Sequence, residues 1–264
     1  MHGKAVAIAP PLSRLGISLV IPDALDTDRF GSFTGEVPRA GTMEDAARLK
    51  ARAAAEATGL PVGLASEGAY GPHPVIPFLA AGVELILWHD TTTGHEVIER
   101  LTDEAPVYDR IEIKGIDDLA PFFARTRFPE TALVVTPVGL GPKGVADPAA
   151  LATAVTEAIA RSPVARALVQ TDMRAHMNPR RMETIGKLAE RFATRLATPC
   201  PACGAPGWGL LRTEPGLPCA ECDTPSALVR VEVYGCTACG HAETRPRQDG
   251  KTTADPANCP MCNP

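Results

Sequence analysis

The chain has 264 residues, 45% of them hydrophobic and 22% charged, with a formal net charge of −5. That length suits one sizeable domain plus a small one, and the composition is that of an ordinary soluble globular protein. The acidic balance speaks against a nucleic-acid-binding surface, and no apolar run approaches the ~20 residues of a membrane span.

Residues 4–9 and 17–21 are short apolar runs that predict strands. The first ends at Pro10 and Pro11 and lacks a cleavage site, so it reads as an opening strand and not a signal peptide. The expected address is cytoplasmic. Residues 26–39 are polar and glycine-punctuated, which predicts a loop. This loop concentrates Asp26, Asp28, Glu36 and Arg39, with Phe30 and Phe33 to pin it, and Glu36 and Arg39 are candidate substrate contacts.

Thr42 has the look of an N-cap, with Asp45 in the capping-box position, for an alanine-rich helix that stops at Gly59. Lys50, taken alone, is a surface lysine whose stem covers apolar neighbours. A strand at 62–66 then runs into a turn, 67–74, where Glu67 and His73 stand beside Gly68, Gly71 and two prolines. Ligands collect at the carboxyl ends of strands in open α/β sheets, so Glu67 and His73 are candidate catalytic groups.

Residues 83–89 form a strongly apolar strand, 96–103 read as helical, 108–113 as a strand and 117–125 as a short helix. The buried strand at 132–136 leads to a glycine-rich loop with Lys143, and Asp147-Pro148 opens the next helix as N-cap and first residue. The strand at 167–171 ends in a charged segment. Asn178 caps the long helix after it, with Met182, Ile185, Ala189, Phe192 and Leu196 as its apolar stripe. Asp172 and His176 are candidate proton-handling groups. Arg174 and Arg181 are candidate anion contacts near a helix start, where free N–H groups favour negative charge. Mutual pairing of Asp172 with Arg174 or Arg181 is the structural alternative.

All eight cysteines lie in the last 65 residues, as four Cys-x-x-Cys pairs: Cys200/Cys203, Cys219/Cys222, Cys236/Cys239 and Cys259/Cys262. Two residues between thiolates let one tight turn aim both sulfurs at a single ion, and four sulfurs complete a closed tetrahedral zinc site. Fifteen residues separate Cys203 from Cys219, and nineteen separate Cys239 from Cys259. These gaps are those of two-knuckle ribbons, which predicts two structural zinc ions paired in sequence order; nested or cross-brace pairing is the rival. The tail holds seven Asp/Glu against five Lys/Arg. Each four-thiolate zinc adds two negative charges, so the tail disfavours nucleic acid but not a protein partner.

The expected fold is therefore α/β: a three-layer, mainly parallel sheet body over residues 1–197 and a small double zinc-ribbon-like domain over 198–264. The expected function is that of a zinc-binding protein, with a hydrolase-type enzyme site in the body for a phosphorylated or nucleotide-like molecule. The alternative is an interaction module that docks a protein or nucleic acid through its ribbons.

Four stretches carry a resemblance over the full length: residues 33–39 (Phe-Thr-Gly-Glu-Val-Pro-Arg), 65–74 (Ala-Ser-Glu-Gly-Ala-Tyr-Gly-Pro-His-Pro), 171–182 and the closing Cys-Pro-Met-Cys-Asn-Pro. In these the chain resembles a bacterial family recorded as a domain of unknown function. A partial resemblance covers Thr42-x-x-Asp45-x-Ala47-x-x-Lys50-Ala51 and Thr58-Gly-Leu-Pro-Val62, which is similar to the inosine-triphosphate pyrophosphatases. That likeness implies metal and phosphate contacts on this helix, with Lys50 as a substrate contact and a magnesium ion as candidate cofactor of the body. The paired aspartates of that family are replaced here by Ala65 and Ser66, with Glu67 next.

Overall fold

The first apolar run is a helix, not a strand. In the computed structural model, which describes residues 3–22, 25, 41–73, 76, 78–137 and 141–264, helix α1 spans Ala5–Ser13 and contains Pro10 and Pro11. Its buried residues, Ile8, Pro11 and Leu12, recur at helical spacing. Residues 17–22 follow with no regular structure, so the second expected strand is also absent. The loop at 26–39, with Glu36 and Arg39, lies outside the described residues.

Helix α2 (Met43–Thr58) starts and stops as its sequence dictates. The Thr42 hydroxyl accepts from the Asp45 amide, the Asp45 carboxylate accepts from the Thr42 amide, and Gly59 closes the helix in the left-handed region. Its alanine face, Ala47 and Ala51, packs on Ala65, Leu85 and Leu87 of a sheet. The approach is close because Gly63 has no side chain: a Cβ there would lie 1.8 Å from the Ala51 carbonyl oxygen.

That sheet holds β1 (Val62–Pro72), β2 (Ala80–Asp90) and β3 (Glu96–Asp103) in the order β1-β2-β3. β1 and β2 pair antiparallel from Val62 opposite Asp90 to Pro72 opposite Ala80. Two expectations change here. The turn expected at 67–74 is strand as far as Pro72, which puts Glu67 in mid-strand. Residues 96–103, expected as helix, are β3.

A second sheet takes β4 (Arg110–Ile113), β5 (Leu133–Thr136) and β6 (Ala167–Thr171) in the order β4-β6-β5, with both neighbours antiparallel to β6. Helix α3 (Ala120–Thr126) and helix α4 (Pro148–Arg161) contribute Phe122, Leu151 and Val155 to a core with Leu133, Val135 and Val169. Asp147 caps α4 through the Ala150 amide. Asn178 Oδ1 accepts from the Arg181 amide at the start of α5 (Pro179–Leu196), whose Ile185, Leu188, Ala189 and Phe192 are fully buried. The last sheet holds β7 (Gly209–Pro215), β8 (Val229–Gly235) and β9 (Ala242–Pro246), an antiparallel meander in the order β7-β8-β9.

The body is thus not a three-layer, mainly parallel α/β sandwich; its described strands form small antiparallel sheets. The physical reason is connection length. A parallel neighbour needs a crossover of a dozen or more residues. Once 96–103 is a strand, only residues 91–95 separate it from β2, and only 73–79 separate β1 from β2. The chain divides into two compact units, Met1–Thr91 with Ile98–Phe192, and Thr92–Val97 with Ala193–Pro264. Among the described residues, no helix is long and apolar enough to cross a membrane.

Candidate functional sites

The eight thiols of the second unit gather into two groups of four. Cys200, Cys203, Cys236 and Cys239 form one and Cys219, Cys222, Cys259 and Cys262 the other, with the sulfurs of each group within 4.8 Å of one another. The pairing expected in sequence order is therefore wrong, and the interleaved one is right. The meander explains it. Successive connections of an antiparallel sheet fall at alternate ends. The first pair precedes β7 and the third joins β8 to β9, where Gly235 sits between Gly209 and Ala242. The second pair joins β7 to β8 and the fourth follows β9, at the opposite end. Pairing in sequence order would have to bridge the length of β7 for one ion, seven residues or roughly 20–25 Å, and the length of β9 for the other.

All four knuckles are built alike. The amide of the residue after the second cysteine donates to the carbonyl of the first: Gly204 to Cys200 at 2.9 Å, Asp223 to Cys219 at 3.1 Å, Gly240 to Cys236 at 2.9 Å and Asn263 to Cys259 at 2.9 Å. Gly204, Asp223 and Gly240 take positive φ to do so. In three knuckles a further amide points at the first sulfur, from Ala202, Glu221 and Met261 at 3.4, 3.5 and 3.4 Å. In every pair the first cysteine is buried and the second exposed. A sequence signal for this alternation exists: Pro-Cys-x-x-Cys-x-x-Pro occurs at 199–206 and again at 218–225, and in both copies the prolines bridge each other. Two like knuckles in succession each open a separate cluster.

The spacing fits a tetrahedral thiolate metal. Zinc–sulfur bonds of about 2.3 Å place the sulfurs of a regular tetrahedron about 3.8 Å apart. The observed separations are 3.8 Å for Cys200–Cys239 and Cys203–Cys236, 3.9 Å for Cys219–Cys262 and 3.5 Å for Cys222–Cys259. Within the second cluster the thiols are set apart in acidity. The Thr224 hydroxyl and amide draw Cys222 down to about 6, whereas shared hydrogen bonding with Cys222 and burial push Cys262 up to about 12. A divalent cation is what allows all four to be thiolates together.

The first unit contains a cleft of about 450 Å³. One wall is residues 17–22 and the other is the run 62–68 of β1, an edge strand of its sheet among the described residues. Ala54, Thr58, Leu60 and Trp88 add to the sides, and Lys4, Lys50, Glu67 and Arg181 supply charge. Lys50 Nζ lies 2.5 Å from Glu67 Oε1, with both side chains largely buried. Lys4 donates to the carbonyl and hydroxyl of Ser66, each at 3.1 Å, and stands 3.6 Å from Glu84 Oε2. Glu84, fully buried, accepts through Oε1 from Arg181 Nε at 2.6 Å and from the Tyr70 hydroxyl at 2.9 Å. Arg181 also donates to the Met173 carbonyl and stacks over Tyr70. Burial, offset by Glu84, brings Lys4 from an ordinary 10.5 down to about 8; Arg181 and Lys50 push the same way and Glu67 opposes. Burial and then Glu84 also push the Tyr70 phenol up.

Of the residues singled out in the sequence, the cleft brings together Lys50, Glu67 and Arg181. His73 stands elsewhere, its Nδ1 accepting from the Ile76 amide at 3.1 Å in the turn after β1. Asp172 is buried and held by Arg174, with contacts of 2.6 and 3.1 Å, so these two form the mutual pair of the structural alternative. His176 is exposed in a short 3-10 turn, Ala175–Met177. Lys4, Ser66, Tyr70, Glu84 and Trp88 escaped the sequence reading. The available signal was Glu84, a carboxylate inside an otherwise apolar strand, which demands a buried partner. Among the described residues, only the two cysteine clusters bring three or more candidate ligand groups within reach of one ion, so nothing supports magnesium in the body.

These features define a two-part protein with a pair of interleaved four-cysteine centres. A family model for a domain of unknown function, DUF6671, matches residues 50–264, and the chain belongs to that family. No curated protein and no solved structure matches the chain. The resemblance to inosine-triphosphate pyrophosphatases finds no support there. Ala65, where an aspartate of that family would stand, packs against the alanine face of α2.

Proposed function

We propose that this is a zinc protein in which both ions are structural, working in a reducing compartment, and that the body rather than the metal centres binds a small anionic molecule. The observation that carries this reading is the closed donor set. Four cysteines surround each centre, and a tetrahedral ion held by four thiolates has no position left for water or substrate. The zincs then fasten the two ends of the β7–β9 meander, a sheet too small to bury a core of its own. The body offers a cleft with three cations, but its carboxylates are committed to ion pairs and neither His73 nor His176 lines it. Binding, not hydrolysis, is the role this arrangement favours.

Metal analysis of protein purified without added metal tests the first part, with two zinc ions per chain expected. Chelation should unfold residues 193–264 as seen by amide exchange while the core of β4, β5 and β6 stays protected. One zinc per chain, or a tail whose protection survives complete removal of zinc, would overturn the reading.

A further inference from the structure

The cleft of the first unit has two different ends. Its long walls are apolar: Ile17, Leu19, Val20, Ile21 and Pro22 on one side, Val62, Leu64, Ala65 and Trp88 on the other. Val20 and Ile21 are 60% and 56% exposed, an unusual amount for aliphatic side chains that face a concave surface. At one place the walls turn polar, where Lys4, Ser66, Lys50, Glu67 and Arg181 meet. A concave, mostly apolar site of this volume with a few convergent polar groups is the common form of a small-molecule pocket.

Charge narrows the choice of ligand. Among the described residues, Lys4, Lys50 and Arg181 face Glu67 and Glu84, three cations against two carboxylates. Arg181 is spent on Glu84 and the Met173 carbonyl. Of the three, Lys4 holds the longest ion pair, 3.6 Å from Glu84 Oε2 against 2.5 Å for Lys50 with Glu67, so it is the cation that gains most from one added negative charge. A nucleotide or polyphosphate would bring several negative charges to a partly buried site where the described cations exceed the carboxylates by one.

We propose that this cleft binds an amphipathic monocarboxylate, its head on Lys4 and Lys50 and its apolar body between residues 17–22 and the edge of β1. The inference rests on the reading that the body binds small anions and adds the ligand class. It carries a proton signature. Lys4 is surrounded by Glu84 on β2, Glu67 on β1, Lys50 on α2 and Arg181 on α5. A carboxylate arriving beside it favours the ammonium form, so binding at pH 8 takes up a proton.

Isothermal titration calorimetry of the full-length, zinc-loaded protein tests it, with hexanoate, octanoate, octan-1-ol, octylammonium and inorganic phosphate as probes. Octanoate should bind, and roughly fifteenfold more tightly than hexanoate, the effect of burying two methylenes. Octan-1-ol and octylammonium should bind at least tenfold more weakly than octanoate, since they lack the charge-assisted contact. Lys4→Met should weaken octanoate tenfold or more. Val20→Glu, on a wall residue that is 60% exposed, should do the same while leaving the urea midpoint unchanged. Phosphate binding with no gain from chain length would overturn the ligand class but leave an anion-binding body. Binding of no anion would overturn both readings, and octanoate affinity unchanged in both variants would overturn the site.

Discussion

Replacement of Glu84 by glutamine tests the charged floor of the cleft. Glu84 has no solvent exposure and holds Arg181, itself 3% exposed, at 2.6 Å. Glutamine keeps the shape and removes the charge, so that among the described residues Lys4, Lys50 and Arg181 then face one carboxylate, Glu67. Removing one partner of a buried ion pair costs about 3–5 kcal/mol. In a domain of this size each kcal/mol moves the melting point by roughly 2–4 °C, so a fall of roughly 6–20 °C is expected. Urea denaturation followed by far-UV circular dichroism, with zinc held constant, gives the free energy directly. The internal control is Asp109→Asn, which breaks the exposed Arg125–Asp109 pair at 2.9 Å and should cost less than about 1 kcal/mol. Lys4→Met combined with Glu84→Gln should recover part of the loss by removing one uncompensated cation. A Glu84→Gln protein within about 1 kcal/mol of wild type, or one no worse than the Asp109 control, would refute the reasoning.

Two further outcomes follow from the same geometry. Because Lys4 is lowered from 10.5 to about 8 on folding, the unfolded chain holds the extra proton between those values; stability is therefore depressed below pH 8 and rises towards 10.5. Relative to Lys4→Met, the wild type should gain on the order of 3 kcal/mol across that window in pH-dependent urea titrations, and a constant difference would show Lys4 to be unperturbed. Gly63→Ala forces a Cβ to within 1.8 Å of the Ala51 carbonyl, so α2 must move off β1. A loss of about 2–3 kcal/mol is expected in the same denaturation assay, against the small gain that alanine would bring to an unhindered strand.

Local chemistry was legible in the sequence and long-range pairing was not. The caps at Thr42 with Asp45, at Asp147 and at Asn178 each involve residues three apart, and all three form as written. The strand at 83–89 was legible because its apolar run is continuous. Residues 96–103 misled because Val97, Ile98 and Leu101 recur at helical spacing, whereas five residues after β2 leave the chain room only to turn back. That single misreading created the apparent alternation of strand and helix from which a parallel sheet was expected. Lys50 looked like a surface lysine because its partner Glu67 lies on another element, and Lys4 was hidden in a run expected to be a strand. The cysteines could be assigned to metal from their spacing, but their grouping depends on which end of a meander each knuckle occupies.

The central claim is that grouping, and cadmium substitution reads it directly. With cadmium-113 in place of zinc and cysteine resonances assigned, scalar coupling connects each metal to the β-protons of its own ligands. One cadmium should couple to Cys200, Cys203, Cys236 and Cys239 and the other to Cys219, Cys222, Cys259 and Cys262. A cadmium coupled to Cys200, Cys203, Cys219 and Cys222 together would contradict the account.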